Sequence, residues 1–300
     1  MMHTLSTDSV IYDFNKAHAP VKKVKVGDTI EISTYDCFEN QIQSEDTEIT
    51  GIDWNRVNPA TGPIYIEGVE PGDVLKVKIE KLEIGDRGVM VVGPDLGVMG
   101  HRLEEMKAKM IPIKDGKAVF NEIELPLNPM IGVIGVAPEG EGVSCGTPGA
   151  HGGNMDNKMV TEGATLYFPV AVEGALFGLG DFHAAMGDGE VSVSGIEVEG
   201  KATVTFEVVK DEGITQPMLE NDEVVTQIAS AETLDEAVKV ATELMINRIC
   251  RKTGMSVSDV TMLMSAVGQV EVCQVVDPLV TVRFVVPKWL EEKFGVRLIG

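Results

Sequence analysis

The sequence predicts a mainly-β fold: a β-rich body over residues 1–210, followed by an α+β segment over 211–300. Three observations carry this reading. Apolar residues alternate with a period of two through much of the first part, the pattern of half-buried strands. Glycine and proline, 32 and 14 over the chain, interrupt these runs too often for long helices. Beyond residue 210 the apolar spacing changes to the helical period.

In chain order, residues 25–33 and 72–80 each set a Gly-Asp pair at a turn ahead of an alternating strand. Residues 64–67 and 118–120 read as shorter strands. Residues 165–172 and 174–180 form a strand, turn and strand, followed by strands over 191–198 and 202–208. The outlines of 64–79 and 166–179 are alike, which fits an internal duplication and fits equally the repetition of any β-sandwich. Thr233 and Glu236 form a capping box, and Leu234, Val238, Ala241, Met245 and Ile249 recur at helical spacing until Gly254. Ser256 opens a second helix with Val260, Leu263, Met264 and Val267 on its apolar face. Residues 280–286 return to a strand, stopped by Pro287.

A chain of 300 residues has the length of about two average domains and buries a core without a disulfide or metal staple. With 44% hydrophobic and 24% charged residues, both normal for a globular protein, global disorder is not expected. Lys+Arg 25 against Asp+Glu 47 gives a net charge of −22, which repels phosphate backbones and anionic lipid. Nucleic-acid and membrane-surface partners are therefore not expected. The N-terminus has no basic region leading into an apolar run, so no signal peptide is expected. The longest apolar stretches, such as 130–138, are far short of the roughly twenty residues of a membrane helix. The cysteines Cys37, Cys145, Cys250 and Cys273 show no CxxC spacing, which argues against a zinc knot or a disulfide framework. A reduced, cytoplasmic protein is expected.

Among the histidines, His3 and His18 read as surface residues and His101 as the cap of a short helical stretch over 102–107. His151 and His183 differ, because each lies in a Gly- and acid-rich segment. In the segment 151–156, Gly152 and Gly153 let a ligand approach the main chain and offer amides to an oxyanion, and Asn154 and Asp156 share a face if the chain is extended. A plain Gly-rich turn fits it equally. In the segment 180–190, Asp181 and His183 share a face of an extended run, and the turn at Gly187-Asp188-Gly189 folds Glu190 back toward them. An imidazole beside two or three carboxylates suits Zn²⁺ or a similar divalent ion, and a loop hairpin with solvated acids is the alternative. Asp36 is a further candidate ligand or a solvated acid at a strand end, and Cys37 beside it is a poor thiolate because of its acidic neighbours. The GxSxG match at 142–146 has loop on both sides, so it is no nucleophile elbow. The pair Gly178 and Gly180 lacks the third glycine of a dinucleotide fingerprint.

At residues 58–73, 151–156, 161–167 and 180–190 the chain resembles the acetamidase/formamidase family, and the resemblance extends over essentially the whole sequence. It implies hydrolysis of a small neutral amide, acetamide or formamide, to a carboxylate and ammonia. It also implies a jelly-roll-like body, a homo-oligomer and dependence on a divalent metal ion, Zn²⁺. Members often carry Gln where this chain has Met186. Joined to the residue pattern, it casts His183, Asp36, Asp181 and Asp156 as metal ligands. Glu190 or Glu67 moves the proton, and the loop from His151 to Asn154 stabilises the oxyanion. Phe38, Met155 or Met186 walls the acyl pocket. Two other readings remain open on the residues alone: a non-catalytic jelly-roll module binding a small ligand, and a metal-free amidase using Cys37.

Overall fold

Ile30 and Ile32 are fully buried while Thr29, Glu31 and Ser33 between them stay partly exposed, so the strand Thr29–Thr34 turns one face inward. Val77 and Ile79 do the same in Val74–Ile84, with Lys78 and Glu80 facing water. In this computed structural model, which describes residues 1–210 and 212–300, such strands build two large sheets. Strands hold 40% of the chain and helices 15%, as the mainly-β reading requires.

The first sheet has nine strands. Its order runs Met2–Leu5, Thr29–Thr34, Gly200–Val209, Val74–Ile84, Thr165–Pro169, Met218–Glu220, Val224–Ala231, Val280–Pro287, Gln269–Gln274. The second has eleven, with Met130–Gly135, Phe177–His183 and Ala60–Glu67 near its centre. Ile30, Val77, Leu166 and Phe206 of the first sheet pack on Ile64, Ile131, Phe177 and Leu179 of the second in one continuous core. The nine-stranded sheet runs on past residue 210, because Thr165–Pro169 pairs with Met218–Glu220. Asp211, the first residue of the expected α+β segment, lies outside the described residues.

The C-terminal helices form as their caps dictate. Thr233 accepts from the Glu236 amide at the start of α1 (Leu234–Thr253), and Gly254 closes it with φ 74°. Ser256 caps α2 (Val257–Val267) through the Asp259 amide. A short helix, α3 (Trp289–Phe294), follows the last strand and is not apparent in the apolar spacing. Ala237, Ala241, Met245 and Ile249 of α1 bury against Val225, Val282 and Val286, making a second core. No helix among the described residues is long and apolar enough to cross a membrane.

Some expected elements change. Residues 191–198 are strand only at Glu197–Val198, because Val191–Ser194 turn back over the chain. The stretch 102–107 is not a helix: only a 3₁₀ turn, Gly100–Arg102, stands before the strand Lys107–Lys114. The strand expected to end at Gly180 instead runs Phe177–His183, which carries Asp181 and His183 into the sheet.

Candidate active site

His183 is the hub. It ends the strand Phe177–His183, opposite Met130 on one side and Glu197 on the other. Its Nε2 lies 3.2 Å from Glu197 Oε1, 3.5 Å from Asp181 Oδ1, 3.7 Å from Asp156 Oδ1 and 4.0 Å from Glu190 Oε1. All five side chains are buried. Asp156 comes from just beyond the strand Gly152–Asn154, and Glu190 from the turn after Gly187.

The backbone is bent to make this cluster. Asp156, Asp181 and Glu190 have φ of 42°, 56° and 45°, a region that side chains other than glycine enter at a cost of about 1–3 kcal/mol each. Two glycines make room. A Cβ on Gly132 would stand 2.3 Å from Asp156 Oδ1 and 2.4 Å from Asp181 Oδ2, and one on Gly195 would stand 2.5 Å from His183 Nδ1. The turn bearing Glu190 is pinned to the C-terminal strands: the Gly189 amide donates to Cys273 O at 2.8 Å, and the Val275 amide to Gly189 O at 3.2 Å. Arg283, fully buried, donates to both oxygens of Asp188 at 3.0 and 2.8 Å and to Asn157 Oδ1 at 3.0 Å. One guanidinium thus ties together the segments that carry Glu190 and Asp156.

A cleft of about 150 Å³ opens over the cluster. Phe38, Trp54, Val57, Val91, Leu96 and Val193 form its apolar wall. Asp181, Glu190, Glu197, Asp277, Asn154 and Cys37 supply its polar side. Asp277 stands in the turn between the strands Gln269–Gln274 and Val280–Pro287, and Asn154 Nδ2 donates to its Oδ2 at 3.0 Å.

The electrostatics are those of too many acids in too little water. Burial, then Asp181, raises the pKa of Asp156. Burial, then Asp156, pushes Glu190 and Asp277 well above the ordinary carboxylate value. Burial raises Glu197 as well, against the pull of His183. Burial opposes a charge on His183, but Glu197 and Asp181 outweigh it and raise the ring well above its usual value. Asp156 Oδ1 and Oδ2 and Glu197 Oε2 are buried without a hydrogen-bond partner, the condition that a bound cation relieves.

Of the residues singled out by pattern, Asp156, Asp181, His183 and Glu190 come together here, and Asn154 lines the cleft. Asp36 does not join them. Its Oδ1 turns back to accept the Phe38 and Asn40 amides at 3.0 and 2.7 Å, and burial raises its pKa to about 6. Glu67 is exposed at the end of Ala60–Glu67, away from the cleft lining. His151 is buried edge-on to Phe14, with ring centroids 5.3 Å apart, and does not line the cleft. Met186 lines a separate apolar groove beside Glu190, and Met155 is buried in the sandwich core.

Pattern reading missed Glu197 and Asp277 and weighed Cys37 only as a nucleophile. Glu197 alternates with Glu199 like any strand acid, and the pairing of Glu197 with His183 is visible only in the sheet register. Asp277 precedes Pro278 and reads as turn chemistry. Cys37, Asp181 and Glu197 place ligand atoms within 4.8 Å of one another, as do Asp156, His183 and Glu190.

The sequence profile of the acetamidase/formamidase family matches residues 12–144 and 139–287. The chain belongs to this family. A family structure described as a predicted acetamidase/formamidase of Thermoanaerobacter tengcongensis is 51% identical, with a TM-score of 0.97 and 99% of each chain covered. The acetamidase structure of Bacillus halodurans is 44% identical, with a TM-score of 0.96, covering 98% of this chain and 100% of that one. The formamidase of Methylophilus methylotrophus is 24% identical over 251 residues, 64% of this chain. The chain spans about 62% of the length of that curated relative.

Proposed function

We propose that this chain hydrolyses short neutral amides to a carboxylate and ammonia in the cleft above His183. The observation that carries the reading is the pairing, within this family, of an apolar-walled cleft of about 150 Å³ with a floor of buried, unpartnered carboxylate oxygens. Asp156, His183 and Glu190, two carboxylates and an imidazole, fit a divalent ion such as Zn²⁺ and would hold it. When bound, such an ion supplies Lewis acidity at the reacting centre.

The chain's own residues do the rest. Water oxygen bonds to the carbonyl carbon while the carbon–nitrogen bond breaks. Asp277 accepts the water's proton and passes it to the departing nitrogen, which leaves as ammonia. Asn154, through its bond to Asp277 Oδ2, orients that carboxyl. Phe38, Val57, Val91 and Val193 cover the acyl group and exclude bulk water. The acids around the cleft favour a neutral substrate and repel the carboxylate product. A cavity of this volume accepts a benzene-sized guest, so the cleft admits acyl groups beyond formyl and acetyl. Cys37 is a poor nucleophile here, because burial and then Glu197 raise its thiol well above the ordinary value.

The test is ammonia release from formamide, acetamide and propionamide, with and without a chelator. Loss of activity on chelation and recovery with Zn²⁺ is expected. Full activity of the metal-free chain overturns the cation, and release from none of the three overturns the hydrolysis.

A further inference from the structure

We propose that Cys37, Asp181 and Glu197 form a second cation site, adjoining that of Asp156, His183 and Glu190, for a divalent ion that accepts a thiolate. The proposal rests on the cation reading given above and extends it to a paired-ion centre.

The three ligand atoms lie within 4.8 Å of one another, and all three side chains are buried. No Lys or Arg forms an ion pair with Asp181 or Glu197 among the described residues. Glu197 is only 2% exposed, and its Oε2 has no hydrogen-bond partner. A buried carboxylate oxygen in that position costs several kcal/mol unless something positive meets it. Among the described residues, the only cationic group within reach is His183, whose Nε2 faces Glu197 Oε1 at 3.2 Å and Asp181 Oδ1 at 3.5 Å.

Once Nε2 serves as a ligand in the first site, it carries no proton to give Glu197 or Asp181. Filling the first site therefore strips the second set of its one partner. A single divalent ion brings two positive charges to a cluster of five carboxyls (Asp156, Asp181, Glu190, Glu197 and Asp277) and a thiol. A second ion restores the balance. Paired sites of this kind, with ions about 3.5–4 Å apart, are a common hydrolase arrangement.

The donor set selects the ion. A thiolate with two carboxylates suits Zn²⁺ or Co²⁺ and disfavours Mg²⁺ and Ca²⁺, which prefer all-oxygen shells. Binding converts the Cys37 thiol to a thiolate, its sulfur–metal bond replacing the sulfur–hydrogen bond and one proton leaving to solvent. Asp181 reaches the second set because Gly132 leaves its Oδ2 room.

The experiment is titration of the metal-free chain with Co²⁺, followed by absorbance, with bound metal counted after dialysis. Two equivalents per chain are expected, with a near-ultraviolet thiolate-to-cobalt charge-transfer band. Cys37→Ser should lose that band and the second equivalent. Glu197→Gln, which keeps the thiol and the volume, should weaken the second equivalent at least tenfold and leave the first. Circular dichroism confirms that both variants fold. One equivalent in the wild-type chain without the band overturns the second site while leaving the first, and one equivalent with the band overturns the paired centre. No bound metal overturns both.

Discussion

Asp181 Oδ2 lies 2.4 Å from the point that a Cβ on Gly132 would occupy, and Asp156 Oδ1 lies 2.3 Å from the same point. Two buried carboxylates thus converge over one bare Cα in the strand Met130–Gly135. Gly132→Ala should push both acids out of place. A displacement of about 1 Å costs around 100-fold in rate, so amide hydrolysis should fall by about that factor and cation affinity should drop with it. Unchanged kinetics in a folded Gly132→Ala chain would show that the two oxygens are not where the chemistry happens.

Arg283 sits at 0% exposure with Asp188 and Glu271, each about a third exposed, on its guanidinium. Removing the cation by Arg283→Met leaves those acids facing each other over an apolar side chain. The expected loss is roughly 3 kcal/mol, toward the low end for a broken buried pair because both acids can rehydrate. Arg283→Lys should recover only part, since a point charge cannot serve Asp188 at both oxygens. Urea unfolding of the three chains is the measurement, and equal midpoints would refute the clamp.

Glu220 ties α3 and the chain end to the sheet through Lys288 at 2.7 Å, Arg297 at 2.8 Å and the Tyr167 hydroxyl. Burial works against its charge, but Lys288, Tyr167 and Arg297 prevail and its pKa is lowered. A lowered carboxyl stabilises the fold fully above the unfolded value of about 4.3. That stability is lost as the pH falls through the folded value. Glu220→Gln should therefore be less stable at neutral pH and show a flatter stability curve in acid. Parallel curves for the two chains below about pH 4.3 would rule the linkage out.

His151 stays neutral to a lower pH than an exposed histidine. Burial lowers its pKa to about 4, and its Nε2 has no partner. Stability is full above the unfolded value of about 6.5 and falls as the pH drops from there toward the folded value. Nuclear magnetic resonance titration should find the ring still neutral at pH 5. Because His151 lies outside the cleft, His151→Phe should keep its bound metal. A ring pKa near 6.5, or metal lost in a folded variant, would contradict this placement.

Local order was open to inspection in the residues alone. Thr233, Ser256 and Gly254 set the ends of α1 and α2 through bonds that span three or four positions. Strand alternation in 29–34 and 74–84 needs only neighbours two apart. The Gly- and acid-rich runs around Asp156, Asp181, His183 and Glu190 stood out for the same reason, since each concentrates ligand chemistry within a few residues.

What escaped a linear reading depends on distant strands. Glu197 becomes a partner of His183 only through the antiparallel register of two strands, and Asp277 reaches the cleft only because the C-terminal strands pack beside Gly189. Asp36 and Cys37 are adjacent, and nothing local decides which faces the cluster. The turn at 36–40 decides it, because the Phe38 and Asn40 amides take the Asp36 carboxylate and leave Cys37 beside Asp181 and Glu197. Hydrogen-bond caps and alternation act over a few residues, so the sequence alone determined α1 and α2, the mainly-β class and the core of the acidic cluster. Which acids share one buried volume is a property of sheet register and long-range packing, and only the tertiary structure could decide it.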